Sequence, residues 1–305
     1  MTRTLPLVSL CTFLLTCTSS EENVQSVKDS IQVDSTEVIE APTPKNYQRI
    51  VAIGSPITEI LIDLEATDNL VAVDKYTTTT PVTKKLPKVG YGRILTSERV
   101  LKHRPDLVLS TKEASPNNVV SEVQNQKIDY LLFEPQYNLA STQQLIEELA
   151  TLIDKKAKGQ AIIDKIQEDI TTVKEQMSDI KYKAKILYIF ANNETNLMLA
   201  GENTPADALI QLAGAENALN NSEGLVRLTA TEVTKAAPTY FLMTTQSLRS
   251  LEGRANLNKI PGYYDTTAGK MGRLILIDES ELLDFGASLG TNALSLSKKI
   301  YPAAY

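Results

Sequence analysis

Apolar residues in this chain fall in short blocks with two different rhythms. RIVAIG at 49–54, LVAVD at 70–74, LVLS from Leu107 and the segment 129–134 are nearly continuous apolar runs, which read as strands buried on both faces. Between them apolar residues recur at helical spacing. The Ser55-Pro56 step opens one such stretch, in which Ile57, Ile60, Leu61 and Leu64 share a face. Further helices are predicted over 96–104 and 117–127. Strand and helix alternate through this half, which predicts a parallel, doubly wound sheet.

A long helical pattern follows from about Ser141 to Lys181, broken near 155–159. Its second part carries Ile162, Ile163, Ile166, Ile170, Val173 and Met177 on one stripe. A helix of that length, about 35 Å, matches the width of a small domain and is expected to bridge two lobes. A second alternation supports this: strands at 184–190, 195–201, 240–244 and 274–277, with helices at 205–213, 230–237 and 287–300. LTSERVLKHRPDLVL, from Leu95, and LTATEVTKAAPTYFL, from Leu228, also share the frame L-T-x-x-x-V-x-K-x-x-P-x-x-x-L. The expected architecture is α/β: two doubly wound, Rossmann-like lobes, 47–154 and 183–305, joined by a bridging helix over 155–182. Open α/β sheets bind ligands at their carboxyl ends, so a cleft between the lobes is the expected site.

Composition narrows the function. The formal charge of −6 disfavours nucleic acid, which calls for a basic face. With one histidine, His103, and no tryptophan, a multi-histidine metal site is excluded. His103, in the last turn of a helix, is expected to be a partly cationic surface residue suited to the helix dipole. Both cysteines, Cys11 and Cys17, lie in an N-terminal segment with an early Arg3 and an apolar run too short to span a bilayer. This reads as a signal peptide over 1–17, ending in Leu14-Leu15-Thr16-Cys17. Residues 18–46, rich in Ser, Thr, Glu and Val, read as a disordered tether reaching about 30 Å. No Gly-rich phosphate loop, Gly-x-Ser-x-Gly elbow or Cys–His pair is present, so an enzyme is not expected.

The segment LPKVGYGRILTSERVLKHRPDLVLS places a phenol, Tyr91, between two glycines and next to a guanidinium, Arg93. Together with RIVAIGSPITEILIDL, LVAVD, LMLAGENTPADALIQLAGAEN and LTATEVTKAAP, in this order and spacing, it resembles the substrate-binding proteins of bacterial ABC importers for iron compounds and cobalamin. Within that group it is most similar to the haem-binding proteins, through VGYxR and AGxxTxADxxIxLAG. The Leu-Leu-Thr-Cys step resembles a lipobox, with Thr16 departing from the usual small residue, which implies lipidation of Cys17. The resemblance implies an extracytoplasmic lipoprotein, periplasmic or at the cell surface, held to the membrane by its lipid alone and monomeric. It would carry haem as transported ligand, with an ABC permease and its ATPase as partners.

The resemblance also implies roles. Tyr91 would ligate the haem iron, and Arg93 would hydrogen-bond to that tyrosine or lie against the porphyrin; phenolate suits ferric iron, and an adjacent Arg is expected to favour the anion. The histidine that some relatives carry after the first strand of the second lobe is replaced by Ala191-Asn192-Asn193. Asn192, Asn193, Gln246 and Phe285 are the remaining ligand-binding candidates, and Arg249 and Arg254 could pair with propionates. Glu98 and Glu232 would dock the permease, although Thr231 holds the true equivalent of Glu98 in the repeat. A ferric siderophore or cobalamin on the same fold is the main alternative. A surface haem scavenger without a permease is a further one.

Overall fold

The four apolar runs of the first half form one sheet. β1 (Ile50–Ile53), β2 (Leu70–Val73), β3 (Leu107–Thr111) and β4 (Asp129–Phe133) pair in the order β2-β1-β3-β4, all parallel. Between them run α1 (Ser55–Asp63), α2 (Pro81–Lys85), α3 (Ser97–Leu101) and α4 (Asn117–Gln124). The computed structural model describes residues 46–77, 80–134, 136–283 and 285–305. The expected signal peptide, Cys17 and nearly all of the tether lie outside them.

α5 (Leu139–Leu152) and α6 (Lys156–Met177) follow, separated where Asp154 takes a φ of +56°. The 22 residues of α6 make it about 33 Å long, somewhat shorter than expected. Ile163, Ile166, Ile170 and Val173 are buried along it, as the stripe predicted. One continuous core joins this stripe to α1, α5 and the inner faces of both sheets, from Ile50 and Leu109 to Ile186 and Leu242.

The second lobe departs from the expectation. β5 (Lys185–Ala191) and β6 (Leu197–Ala200) form an antiparallel hairpin. After α7 (Pro205–Leu212), β7 (Glu216–Asn217) pairs with β5, and β8 (Leu225–Arg227) pairs antiparallel with β6. Then come α8 (Ala230–Ala236), β9 (Tyr240–Thr244), α9 (Thr245–Ser250), α10 (Thr267–Lys270), β10 (Leu274–Ile277), α11 (Glu279–Leu283) and α12 (Leu289–Ile300). The sheet, ordered β10-β9-β5-β6-β8, is therefore mixed, with a parallel half next to the hairpin.

The internal repeat is structural. Thr96 and Thr229 cap α3 and α8, each accepting a backbone N–H three residues on, at 3.3 and 3.2 Å. Val100 and Val233 are fully buried. Arg104 and Ala237, at matching positions, both leave the helix in the left-handed region, with φ of +47° and +44°. Each is followed by proline and a central strand.

Two features fix the lobes together. α12 lies against α6 so closely that a Cβ on Gly290 would come 2.8 Å from the Ile166 Cα. The buried Asp169 of α6 accepts from Lys165 at 2.8 Å and from Thr291 at 3.0 Å. The chain after α11 also leans back on the first lobe: the Ser288 hydroxyl donates to the Glu59 carboxylate, and Phe285 packs edge-on against Tyr137 at 5.4 Å.

Candidate functional site

The loop between β2 and α3 is built from a buried carboxylate outward. Asp74, at the end of β2, is 1% exposed. Its Oδ2 accepts from the Gly54 N–H at 2.9 Å and from the Thr77 hydroxyl. Its Oδ1 accepts from the N–H groups of Tyr76 and Thr77, at 2.6 and 3.1 Å. This ties the turn after β2 to the end of β1 and fixes where Tyr76 emerges. Residues 87–89 then run back along β2, with the Val89 N–H donating to the Val73 carbonyl at 3.0 Å. Lys88 donates to the carbonyls of Thr77 and Thr83, at 2.8 and 2.6 Å, stitching the threonine-rich loop to this segment.

Tyr91 follows at once. Gly90 has a φ of +111°, and a Cβ there would lie 2.7 Å from the Ile94 carbonyl oxygen, so glycine is required. Tyr91 is extended and half-buried against the outer core of the first lobe. The Tyr76 ring meets it edge-on, with centroids 5.4 Å apart and planes at 77°. Burial pushes the Tyr91 phenol above its usual pKa, and Glu113, Asp74 and Tyr76 act in the same direction. The Thr111 hydroxyl, at the end of β3, works the other way. It is close enough to favour the anion but makes no hydrogen bond, since Thr111 Oγ1 is buried without a partner. Arg93 is exposed and has no hydrogen bond or ion pair among the described residues. Arg93 is not among the groups that shift the Tyr91 phenol, on which burial is the largest influence.

Beside Tyr91, over the ends of β1, β3 and β4, lies a cavity of about 290 Å³. Ile57, Leu132, Phe133, Leu145 and Phe285 supply apolar wall, and Thr111 and Tyr137 also line it. Tyr137 is half-buried, and burial, with Glu113 and Tyr91, raises its phenol. Two aromatic pairs, Tyr76–Tyr91 and Tyr137–Phe285, thus lie at this end of the first lobe. Sequence reasoning picked out Tyr91 and Phe285. It missed Tyr76, Tyr137 and Thr111, whose one signal was a position at or a few residues beyond the end of a strand.

The other candidates sit elsewhere or serve structure. Asn193 Oδ1 accepts from the Thr195 N–H and hydroxyl and from the Asn196 N–H, so it builds the β5–β6 turn. Asn192 is exposed in that turn, and Gln246 is exposed on α9. None of Asn192, Gln246, Arg249 and Arg254 has a hydrogen bond, ion pair or ring contact with Tyr91 among the described residues. Glu98 is exposed in the first turn of α3. Glu232 is half-buried in α8, at the position matching Arg99, with its N–H capped by Thr229. His103 differs from expectation: burial, Lys102 and Arg49 all push its imidazole below the usual pKa, so it favours the neutral form. No helix among the described residues is long and apolar enough to cross a membrane.

The chain is similar to several known proteins. Periplasmic heme-binding protein RhuT from Roseiflexus sp. RS-1 is 29% identical, with a TM-score of 0.79 covering 85% of this chain and 99% of that one. Periplasmic heme-binding protein BhuT, in complex with two hemes, is 29% identical, with a TM-score of 0.78 over 84% of this chain and 99% of that one. The ABC transporter substrate-binding lipoprotein YvrC of Bacillus subtilis is 21% identical over 278 residues, 90% of this chain and 87% of its own length. The vitamin B12-binding protein of Pectobacterium atrosepticum is 25% identical over 179 residues, 57% of this chain and 63% of that protein. The family model for periplasmic binding proteins matches residues 50–281, the greater part of both lobes. This chain belongs to the periplasmic binding protein family.

Proposed function

We propose that this protein captures ferric haem between its lobes, with Tyr91 as the iron ligand, and delivers it to an ABC importer. The observation that carries the reading is the presentation of Tyr91: a half-buried phenol, held by Gly90 at the carboxyl end of a parallel sheet, beside a cavity walled in part by aliphatic and aromatic side chains. Phenolate is a hard ligand suited to ferric iron, and tyrosine is an established axial ligand of haem. The phenol is protonated in the free protein, so coordination itself displaces the proton. The likeness to heme-binding proteins over nearly their full length supports the same ligand here.

Around this centre, Phe285 and Tyr137 cover the macrocycle, and the exposed Arg93 is placed to meet a carboxylate. Asn192 and Gln246 remain candidates for the opposing wall. Glu98, and less directly Glu232, would engage the permease from the starts of α3 and α8. Lipidation of Cys17 and a tether over 18–46 would hold the protein at an extracytoplasmic membrane face. Binding and hand-over, rather than catalysis, is its role.

A second reading rests on the vitamin B12-binding relatives: a corrinoid in the same cleft, with Tyr91 touching the ligand but not the metal. Titration of the purified protein, free of any histidine tag, with ferric haem separates the two. Wild type is expected to give a saturable Soret shift with a phenolate-to-iron charge-transfer band, and Tyr91→Ala to lose that band. Saturable binding with the same spectrum in Tyr91→Ala would remove the ligation role. Saturable binding of cobalamin but not haem would favour the second reading.

A further inference from the structure

Charge is unevenly spread along this chain. Between Asp74 and Asp106, whose carboxylates are both taken up by backbone N–H groups, stand eight lysines and arginines and one acid, Glu98, in a protein whose formal charge is −6. Lys75, Lys84, Lys85, Arg93, Arg99 and Lys102 are exposed, and none has an ion pair or a side-chain hydrogen bond among the described residues. The same segment exposes apolar side chains: Tyr76, Ile94 and Val82 are 63%, 44% and 38% exposed. Of α2, only Thr83 is buried.

These groups share one surface. Lys88 ties α2 to the turn after β2 through the carbonyls of Thr83 and Thr77, Tyr76 meets Tyr91 edge-on, and the Ile94 N–H donates to the Tyr91 carbonyl at 3.3 Å. The Lys75 ammonium lies over the Tyr76 ring, at 5.2 Å. The surface therefore sits on the loop that carries Tyr91, at the carboxyl end of the edge strand β2. A dissolved anion would be met by the cations alone. Exposed aliphatic and aromatic side chains among unpaired cations fit the headgroup layer of an anionic bilayer, where the cations meet phosphates and the apolar groups enter the acyl boundary. Screening over about 8 Å at physiological salt keeps the acidic remainder of the molecule from cancelling this attraction at contact.

We propose that this rim of the first lobe is a membrane-contact surface for anionic phospholipid headgroups, which turns the Tyr91 loop toward the bilayer. It adds a second contact to the lipid expected at Cys17, and it stands whatever ligand the protein carries. A tether alone leaves orientation free. With the rim seated, a ligand leaving past Tyr91 is released at the membrane face rather than into the bulk.

The chain has no tryptophan, so one placed at an exposed position reports that position alone. Val82→Trp, on the rim, and Leu225→Trp, on the edge strand β8 of the second lobe, are each mixed with vesicles of equal parts phosphatidylglycerol and phosphatidylcholine, and with vesicles of phosphatidylcholine only. Val82→Trp is expected to shift its emission to the blue with the anionic vesicles and Leu225→Trp is not, while the neutral vesicles leave both unchanged. Co-sedimentation with the anionic vesicles is expected to weaken roughly fivefold from wild type for each of Lys84→Gln and Lys85→Gln, and haem titration of these variants to match wild type. The sedimentation arm needs no change at Val82. No shift at position 82, an equal shift at position 225, or an equal response to neutral vesicles overturns the inference. So does co-sedimentation that the two lysine changes together leave intact. A fall in haem affinity that matches the loss of vesicle binding would assign the cations to ligand capture and overturn it as well. Ligation by Tyr91 is read separately, by the charge-transfer band.

Discussion

Asp74 is the strongest single test of how the site is held. Its two oxygens satisfy three backbone N–H groups and one hydroxyl, all close to the Tyr76–Tyr91 contact. Asp74→Asn keeps the shape and one oxygen. The best placement leaves that oxygen on the N–H groups of Tyr76 and Thr77 and turns the amide toward Gly54. The Thr77 hydroxyl can rotate to accept from the new donor. The Gly54 N–H, which is buried, cannot, and it faces a second donor. A hydrogen bond to a charged group is worth about 1.5–3 kcal/mol, and an orphaned buried donor costs a similar amount, so a loss of roughly 2–3 kcal/mol is expected. Asp74→Ala orphans all four donors and should cost more, about 4–5 kcal/mol. Urea unfolding of both variants, followed by circular dichroism, measures this directly. For a chain of this size the Asn variant should also melt roughly 5 °C lower. A change below about 0.5 kcal/mol in Asp74→Asn would refute the view that this carboxylate organises the loop, since surface substitutions alone give that much.

Haem affinity should rise about tenfold per pH unit between about pH 6 and 8, because the raised Tyr91 phenol is protonated there and each ligation releases one proton; calorimetry in buffers of different ionisation enthalpy reads that proton, and a pH-independent affinity would contradict phenolate ligation. Gly90→Ala forces a side chain to a φ of +111° and into the Ile94 carbonyl, so about 2–3 kcal/mol of stability and most haem binding should be lost together, as read by melting and titration. Gly290→Ala should cost about 1–3 kcal/mol by pushing α12 off Ile166, while leaving the spectrum of bound haem unchanged.

Most of the first lobe was legible because β1, β2 and β3 are buried on both faces, or nearly so, and its helices have clean apolar faces, so the two rhythms do not mix; the edge strand β4 is only partly buried. The bridging helix was legible for the same reason. The antiparallel hairpin was not: the apolar run over 197–200 reads the same whether its partner runs with it or against it, and β8 is three largely exposed residues. At the site, Tyr91 was visible because two glycines flank it. Tyr76 and Tyr137 are single aromatics in loops 61 residues apart, and only the parallel pairing puts the carboxyl ends of β2 and β4, the two outer strands, at the same end of the sheet. Asn193 misled because asparagine beyond a strand end serves a turn as readily as a ligand. Arg93, two residues after Tyr91 and across a glycine with a φ of +54°, is exposed, and nearness in sequence alone did not show that.

The repeat shows how the two lobes diverge around the position that holds Tyr91 in the first. Both copies run from a threonine cap, through a left-handed helix exit and a proline, to a strand ending in threonine. Thr244, at the end of β9, is spent on structure: its hydroxyl caps α9, accepting from Ser247 N–H at 3.0 Å. Thr111, its counterpart at the end of β3, caps nothing, and its buried hydroxyl lies near the Tyr91 phenol. The segments before the caps diverge as well. In the first lobe, 87–89 extends along β2 and then presents Tyr91; in the second, the chain around Gly224 turns to form β8 against β6. A segment spent on completing a sheet edge cannot also offer a side chain to the cleft. On the proposed function the second lobe would then serve as a wall rather than a ligating partner, in keeping with Ala191-Asn192-Asn193 standing at the end of β5 in place of a histidine. An iron held from one side only, between lobes fixed by α6 and α12, would be retained by a single coordinate bond and by burial of the macrocycle. Ligation would then decide which metal complex is kept.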